Sequence, residues 1–147
     1  MRRVFIDVNV PMYAGGTPHP LREPCRQVIL AIAEGRIDAV TDSEVMQEIL
    51  YRYLHIGERE KGYAVFDNFH QLMTRRILPI DELDVHLARR LAEQYPALSP
   101  RDLIHLAVMI RYELPEIISA DTGFDAVTQV RRIDPLKDLE DLYLWHK

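Results

Sequence analysis

The chain has 147 residues, 48% of them hydrophobic and 28% charged, with a formal net charge of −5, which fits one globular domain over 1–147 burying about 70% of its unfolded surface and leaves no room for a second. No apolar run approaches the roughly 20 residues that span a bilayer, and a strand pattern starts straight after Arg2-Arg3 with no signal-peptide core, so the expectation is a soluble, cytoplasmic protein without membrane contact. The lone Cys25 excludes an internal disulfide and a cysteine metal site, and the acidic balance argues against a nucleic-acid partner unless the acid is gathered in one place.

In chain order, strand signals at 3–6, 37–40, 76–80, 117–120 and 131–133 alternate with helical patterns, which predicts an α/β fold of βαβ units. Asn9 is the expected N-cap of a first helix, the Gly15-Gly16-Thr17-Pro18-His19-Pro20 loop breaks the chain, and a longer helix over 21–34 stops at Gly35. Thr41-Asp42-Ser43-Glu44 is a capping signature. The apolar stripe that follows, Val45, Met46, Ile49, Leu50, Tyr53 and Leu54, carries that helix to about 55. Gly57 and Gly62 interrupt the next segment before a second helix ending near Met73, so 44–74 reads as an αα hairpin. A helix over 82–94 stops before Pro96, Ser99-Pro100 opens another with an N-cap serine and N1 proline, and Asp134-Pro135 repeats that signal for a short helix over 135–145.

Two of the strand runs, Val4-Phe5-Ile6 and Ile117-Ile118-Ser119-Ala120, end on a bare aspartate, Asp7 and Asp121. In an open parallel sheet, residues past the last apolar position of a strand face the crevice at its carboxyl edge. Two carboxylates placed there repel unless a cation lies between them, and a divalent ion with oxygen ligands is the usual answer. Right-handed crossovers start every connecting helix at that same edge. Asp102 is the third residue of its helix, and Glu48 lies six residues into the helix after strand 37–40, about 9 Å along its axis, so both reach the crevice. Asp125, one turn past Asp121, is a fifth candidate. Each has a structural alternative: Asp102 as a capping carboxylate against the helix dipole, Glu48 as a solvated residue opposite its helix's apolar stripe, Asp7 and Asp121 as turn caps. Gathered together, the four acids leave the rest of the molecule near neutral, and a nucleic-acid partner is again open.

The same residues carry a family resemblance. Val4-Phe5-Ile6-Asp7-Val8-Asn9-Val10, Asp42-Ser43-Glu44-Val45-Met46-Gln47-Glu48-Ile49-Leu50, Ser99-Pro100-Arg101-Asp102-Leu103-Ile104-His105-Leu106-Ala107 and Ile117-Ile118-Ser119-Ala120-Asp121-Thr122-Gly123-Phe124-Asp125 are similar, in that order, to the four blocks of PIN-domain nucleases, particularly the VapC-like toxins of toxin–antitoxin pairs. The resemblance implies a three-layer αβα sandwich with a central, mainly parallel sheet of four to five strands. It also implies Mg²⁺ or Mn²⁺ held by Asp7, Asp102, Asp121 and Glu48 with Asp125 as an accessory, Asn9 and Ser119 orienting the acids, and hydrolysis of RNA. Its implied partners are RNA, a small antitoxin and a second copy of the chain, the last two engaged through the 44–74 hairpin.

Arg101, beside Asp102, and Arg22 and Arg26, beyond the Gly/Pro loop, are candidate phosphate contacts, each with a solvated arginine as the plainer alternative. His105 is either a neighbour of the crevice or a packing histidine, and the six histidines show no zinc-site spacing. Tyr51, Tyr53, Tyr63 and Phe66 read as core or dimer residues rather than base-stacking platforms. Three other functions compete: a PIN nuclease without an antitoxin, a haloacid-dehalogenase-like phosphatase, and a non-enzymatic interaction module. The phosphatase shares the aspartate after strand one and the Asp121-to-Asp125 spacing, but it would need an acid where Asn9 stands and a lysine before Asp121.

Overall fold

Val4, Phe5 and Ile6 have no solvent exposure, as expected for β-branched and aromatic residues in a strand with neighbours on both sides and cover on both faces. They form β1 (Arg3–Ile6), the central strand of the computed structural model, which describes residues 3–140. β2 (Asp38–Asp42), β3 (Ile77–Leu78), β4 (Glu116–Ile118) and β5 (Arg131–Ile133) complete a sheet of order β3-β2-β1-β4-β5 in which every pairing is parallel. Phe5 stands in register with Val40 on one side and Ile117 on the other.

The helices are α1 (Asn9–Ala14), α2 (Arg22–Ala33), α3 (Ser43–His55), α4 (Arg59–Leu72), α5 (Glu82–Gln94) and α6 (Pro100–Arg111), with a 3₁₀ turn over Thr122–Ala126. The chain steps outward from β1 to β3 through α1–α4 and then crosses back through α5 and α6 to β4. Right-handed crossovers running in opposite directions place their helices on opposite faces, which gives three layers. α1 packs on α2 and α4, α3 on α4, and α5 on α6. The order of strands reverses between β1 and β4, and the loops leaving those two strands diverge there, opening a crevice at the carboxyl edge.

Most helix starts follow the sequence signals. Asp42 caps α3 by accepting from the Val45 N–H at 2.9 Å, and Ser99 caps α6 ahead of Pro100. Asp81 and Asp84 form a reciprocal capping box at α5. Elsewhere the structure departs from the sequence reading. Asn9 is the first residue of α1 rather than its cap, because its amide is engaged across the sheet edge. β3 is only two residues long, since Pro79 has no N–H to extend the ladder. Gly57, at φ 76°, ends α3, but Gly62 lies inside α4, where a Cβ would overlap that of Tyr53. After Asp134 the chain makes a turn over 135–137, and residues 141–145 of the helix expected over 135–145 lie outside the described residues. Among the described residues no helix is long and apolar enough to cross a membrane. Cys25 is fully buried, and burial pushes its thiol up to about 12.

Candidate metal centre

Asp7 leaves β1 where the apolar run ends, and the parallel pairing persists far enough for its N–H to donate to the Ile118 carbonyl at 3.1 Å. That bond fixes the end of β1 beside the end of β4. Asp7 is 2% exposed; its Oδ1 accepts from the Val8 N–H at 2.7 Å, and its Oδ2 accepts from Ser119 Oγ at 2.7 Å and Asn9 Nδ2 at 3.3 Å. The same two polar residues reach the other strand end: Asn9 Oδ1 accepts from the Ala120 N–H and Ser119 Oγ from the Asp121 N–H, both at 3.0 Å. Asp121 in turn accepts from the Gly123 N–H at 2.9 Å. Asn9 and Ser119 thus join the two strand ends and restrict the Asp7 carboxylate to one orientation.

α6 brings in the third acid. Ser99 Oγ accepts from the Asp102 N–H at 3.2 Å, which sets the first turn of the helix at the crevice. The half-buried Asp102 carboxyl is pushed up to about 6 by burial and by the charges of Asp7 and Asp121, against a smaller pull downward from His105 and Ser99. Such a shift marks carboxylates sharing one confined space. Glu48 joins them from α3. The sequence left it between the crevice and a solvated face; it is 4% exposed, because the face opposite the apolar stripe turns into the crevice and Arg52 closes over it. Arg52 Nε and Nη2 both lie 2.7 Å from Glu48 Oε2. The result is a polar cleft of about 700 Å³ lined by Asp7, Asn9, Glu48, Asp102 and Asp121, with Tyr13, Arg52 and Arg101 among its walls.

Other predicted residues lie elsewhere. Asp125 does not line the cleft; its two oxygens accept from Arg132 Nε and Nη2 at 2.8 and 3.0 Å, and this pairing holds its carboxyl below the usual range. Arg26 donates to the Ala14 carbonyl and borders a different cavity, and Arg22 also stands away from the cleft. Arg101 does line it, braced by Glu44 at 3.3 Å and by the Tyr51 ring, whose centroid is 4.2 Å from its guanidinium carbon. Tyr53 is buried, whereas Tyr51 and Tyr63 are exposed.

Sequence reasoning gave least to the pair His105 and Asp42. His105 has no solvent exposure, and its Nδ1 lies 2.7 Å from Asp42 Oδ2. Burial alone would lower its pKa, but the charge and hydrogen bond of Asp42, with Asp7 and Asp102 adding to them, push it up to about 9. Its Nε2 is buried without a hydrogen-bond partner. A ring nitrogen of His105 and carboxylate oxygens of Asp7 and Asp102 all lie within 4.8 Å of one another. The available signal was spacing: His105 follows Asp102 by three residues on one helix face. The carboxylate oxygens suit a cation, for they are anionic, mutually repelling and close.

The PIN domain family model matches residues 4–130. The chain belongs to the PIN domain family. This PIN domain is 35% identical over 130 residues to Ribonuclease VapC13 of Mycobacterium tuberculosis, an alignment covering 88% of this chain and 98% of the relative. Among solved structures it is similar to FitAcB from Neisseria gonorrhoeae (TM-score 0.68, 19% identity, 91% of this chain and 99% of that one). It is also similar to a toxin–antitoxin complex from Klebsiella pneumoniae (TM-score 0.62, 16% identity, 90% and 97%). These neighbours share the three-layer fold of this PIN domain, and the family match leaves the phosphatase reading without support.

Proposed function

We propose that this chain is a divalent-metal-dependent endoribonuclease and the toxin of a VapBC-type toxin–antitoxin pair, acting on cytoplasmic RNA. The observation that carries this reading is the meeting of Asp7, Glu48, Asp102 and Asp121, from four separated stretches of sequence, in one cleft at the point where the strand order reverses. The ribonuclease name of a relative 35% identical over most of both chains supports the same reaction, and the fold shared with a toxin–antitoxin complex supports the partner.

Asp7, Asp102 and Asp121 would hold the ion, Mg²⁺ or Mn²⁺. When bound, it supplies Lewis acidity toward the phosphate and lowers the pKa of nearby water, the two needs of phosphodiester hydrolysis at neutral pH. Glu48 orients the attacking water, and Arg52 fixes which of its oxygens is free to do so. Arg101, on the cleft wall, offers charge to the RNA phosphate, and Asn9 and Ser119 keep the Asp7 carboxylate aimed. The exposed Tyr51, Leu54, Ile56 and Tyr63 of the α3–α4 hairpin form the surface we assign to a second copy of the chain.

The test is cleavage of a mixed RNA panel in Mn²⁺, Mg²⁺ or EDTA beside the Asp121→Asn variant. Cleavage is expected with metal and wild-type protein, lost in EDTA and reduced at least a hundredfold in the variant. Equal cleavage by the variant, or cleavage in EDTA, would sink the mechanism.

A further inference from the structure

Two cavities meet at the metal centre. Beside the cleft lies a second chamber of about 460 Å³, within the range of ligand-sized sites, and Asn9, Tyr13 and Arg52 are walls of both. An extended strand lying across the carboxylates has a continuous path past Tyr13 and Arg52 into it. The charge there is of the other sign. The cleft gathers four carboxylates against Arg52 and Arg101, whereas the chamber, among the described residues, sets Arg52 and Lys61 against Glu58. Arg52 is committed to Glu48, so the half-buried Lys61, in the first turn of α4, is the cation left for a phosphate.

The Gly15–Pro20 loop brings a different chemistry. At Gly16 a Cβ would lie 2.9 Å from the Met12 carbonyl, so glycine lets the chain turn closely against α1. The loop then returns the exposed His19 ring to 4.7 Å from the Tyr13 ring, centre to centre, inclined at 34°. The Leu21 N–H donates to His19 Nδ1 at 3.0 Å, which restrains the imidazole plane, and both rings line the chamber. Ring faces beside a cation suit single-stranded nucleic acid, whose bases stack while its backbone pairs with charge. Continuity with the metal centre selects RNA over a protein segment as the occupant.

We infer that this chamber is a nucleotide subsite for the RNA strand on one side of the scissile bond, with a base stacked on the Tyr13 and His19 rings and the adjoining phosphate paired with Lys61. The inference rests on the ribonuclease reading above. The subsite acts on binding, so its loss raises KM and leaves the turnover of saturated enzyme unchanged. At its rim, Ile56 belongs also to the surface assigned to a second copy, and the association state is therefore followed in the same experiment.

The test is fluorescence anisotropy of a labelled, mixed-sequence single-stranded RNA of about ten nucleotides, titrated in Mn²⁺ with the full chain carrying Asp121→Asn to keep the RNA intact. On that background Lys61→Glu should weaken binding about tenfold and flatten the slope of log affinity against log salt by about 0.7, the value for one phosphate contact on a single strand. Lys137→Glu, the same charge change outside both cavities, should do neither. His19→Asn keeps an acceptor for the Leu21 N–H but removes the ring, and it should weaken binding about fivefold or more with the salt slope unchanged. His19→Phe restores a ring without the acceptor and should recover the affinity; the reverse order of the two variants would overturn the base platform. With Asp121 restored, Lys61→Glu and His19→Asn should raise KM on the RNA panel and leave kcat within about twofold, and KM alone decides if Asp121→Asn binds no RNA. Wild-type affinity and KM in both variants would overturn the subsite and leave the ribonuclease reading intact. The same result with an altered association state in light scattering would assign the chamber to a protein partner and overturn it too. Neither RNA binding nor cleavage by the wild-type chain would overturn both readings.

Discussion

Asp102 bears the cost of the metal-free centre, and its titration sets a sign that can be measured. Its carboxyl is raised from the ordinary 3.8 to about 6 by burial and by Asp7 and Asp121. A group whose folded pKa lies above its unfolded one contributes stability that is complete below the unfolded value and lost as the pH rises through the folded value. In EDTA the wild type should therefore lose stability between about pH 4 and pH 6, and Asp102→Asn should not. At pH 7 the variant should be more stable by about 1–2 kcal/mol, an advantage that reverses in Mn²⁺, as thermal melts across pH with and without metal will check. Asp125→Ala tests the opposite case. Because its carboxylate is exposed, bound by Arg132 and absent from the cleft walls, the substitution should change RNA cleavage by less than about threefold and stability by under about 1 kcal/mol. Asp7 and Asp121 were legible in the sequence because an acid after an apolar strand has few other uses. His105 was not, because its partner Asp42 stands 63 residues away and already explains itself as a helix cap.

At the scale of elements, the positions that matter are those where two elements touch through a residue chosen for size. Gly62 in α4 leaves no space between its backbone and Tyr53 of α3. Gly62→Ala should spread the hairpin and cost about 1–3 kcal/mol in chemical denaturation, while the folded fraction keeps its RNA cleavage, since neither residue is a ligand. Helix starts read well from sequence at Asp42 and Ser99, where a capping residue or a following proline announced them. Glycine was the misleading signal. Gly62 reads as a breaker from sequence alone and becomes a packing contact only when its neighbour is known. Glu48 stood open between crevice and solvent for a related reason: helical periodicity separates an apolar from a polar face, but it does not say whether the polar face meets water or a cleft.

For the molecule as a whole, the strand order β3-β2-β1-β4-β5 unites the residues, since it alone sets the end of β1 beside the end of β4. The alternation of patterns along the chain announced a parallel α/β sheet, but nothing local in the sequence tells β4 to cross back over two strands and pair with β1. The net charge of −5 is also best understood at this scale, as four acids gathered in one cleft rather than a repulsive surface. The hydrogen bond from Ser119 to Asp7 closes a span of 112 residues, and it has a consequence in time. Parallel strands so far apart in sequence are slow to meet, whereas helices and the α3–α4 hairpin form early. On dilution from denaturant, helical signal should return before the ability to cut RNA, and the delay should be visible when circular dichroism and a cleavage assay are followed together. On the proposed reading, the half-folded chain cannot yet cut RNA, and the cleft is complete only when the last strands dock.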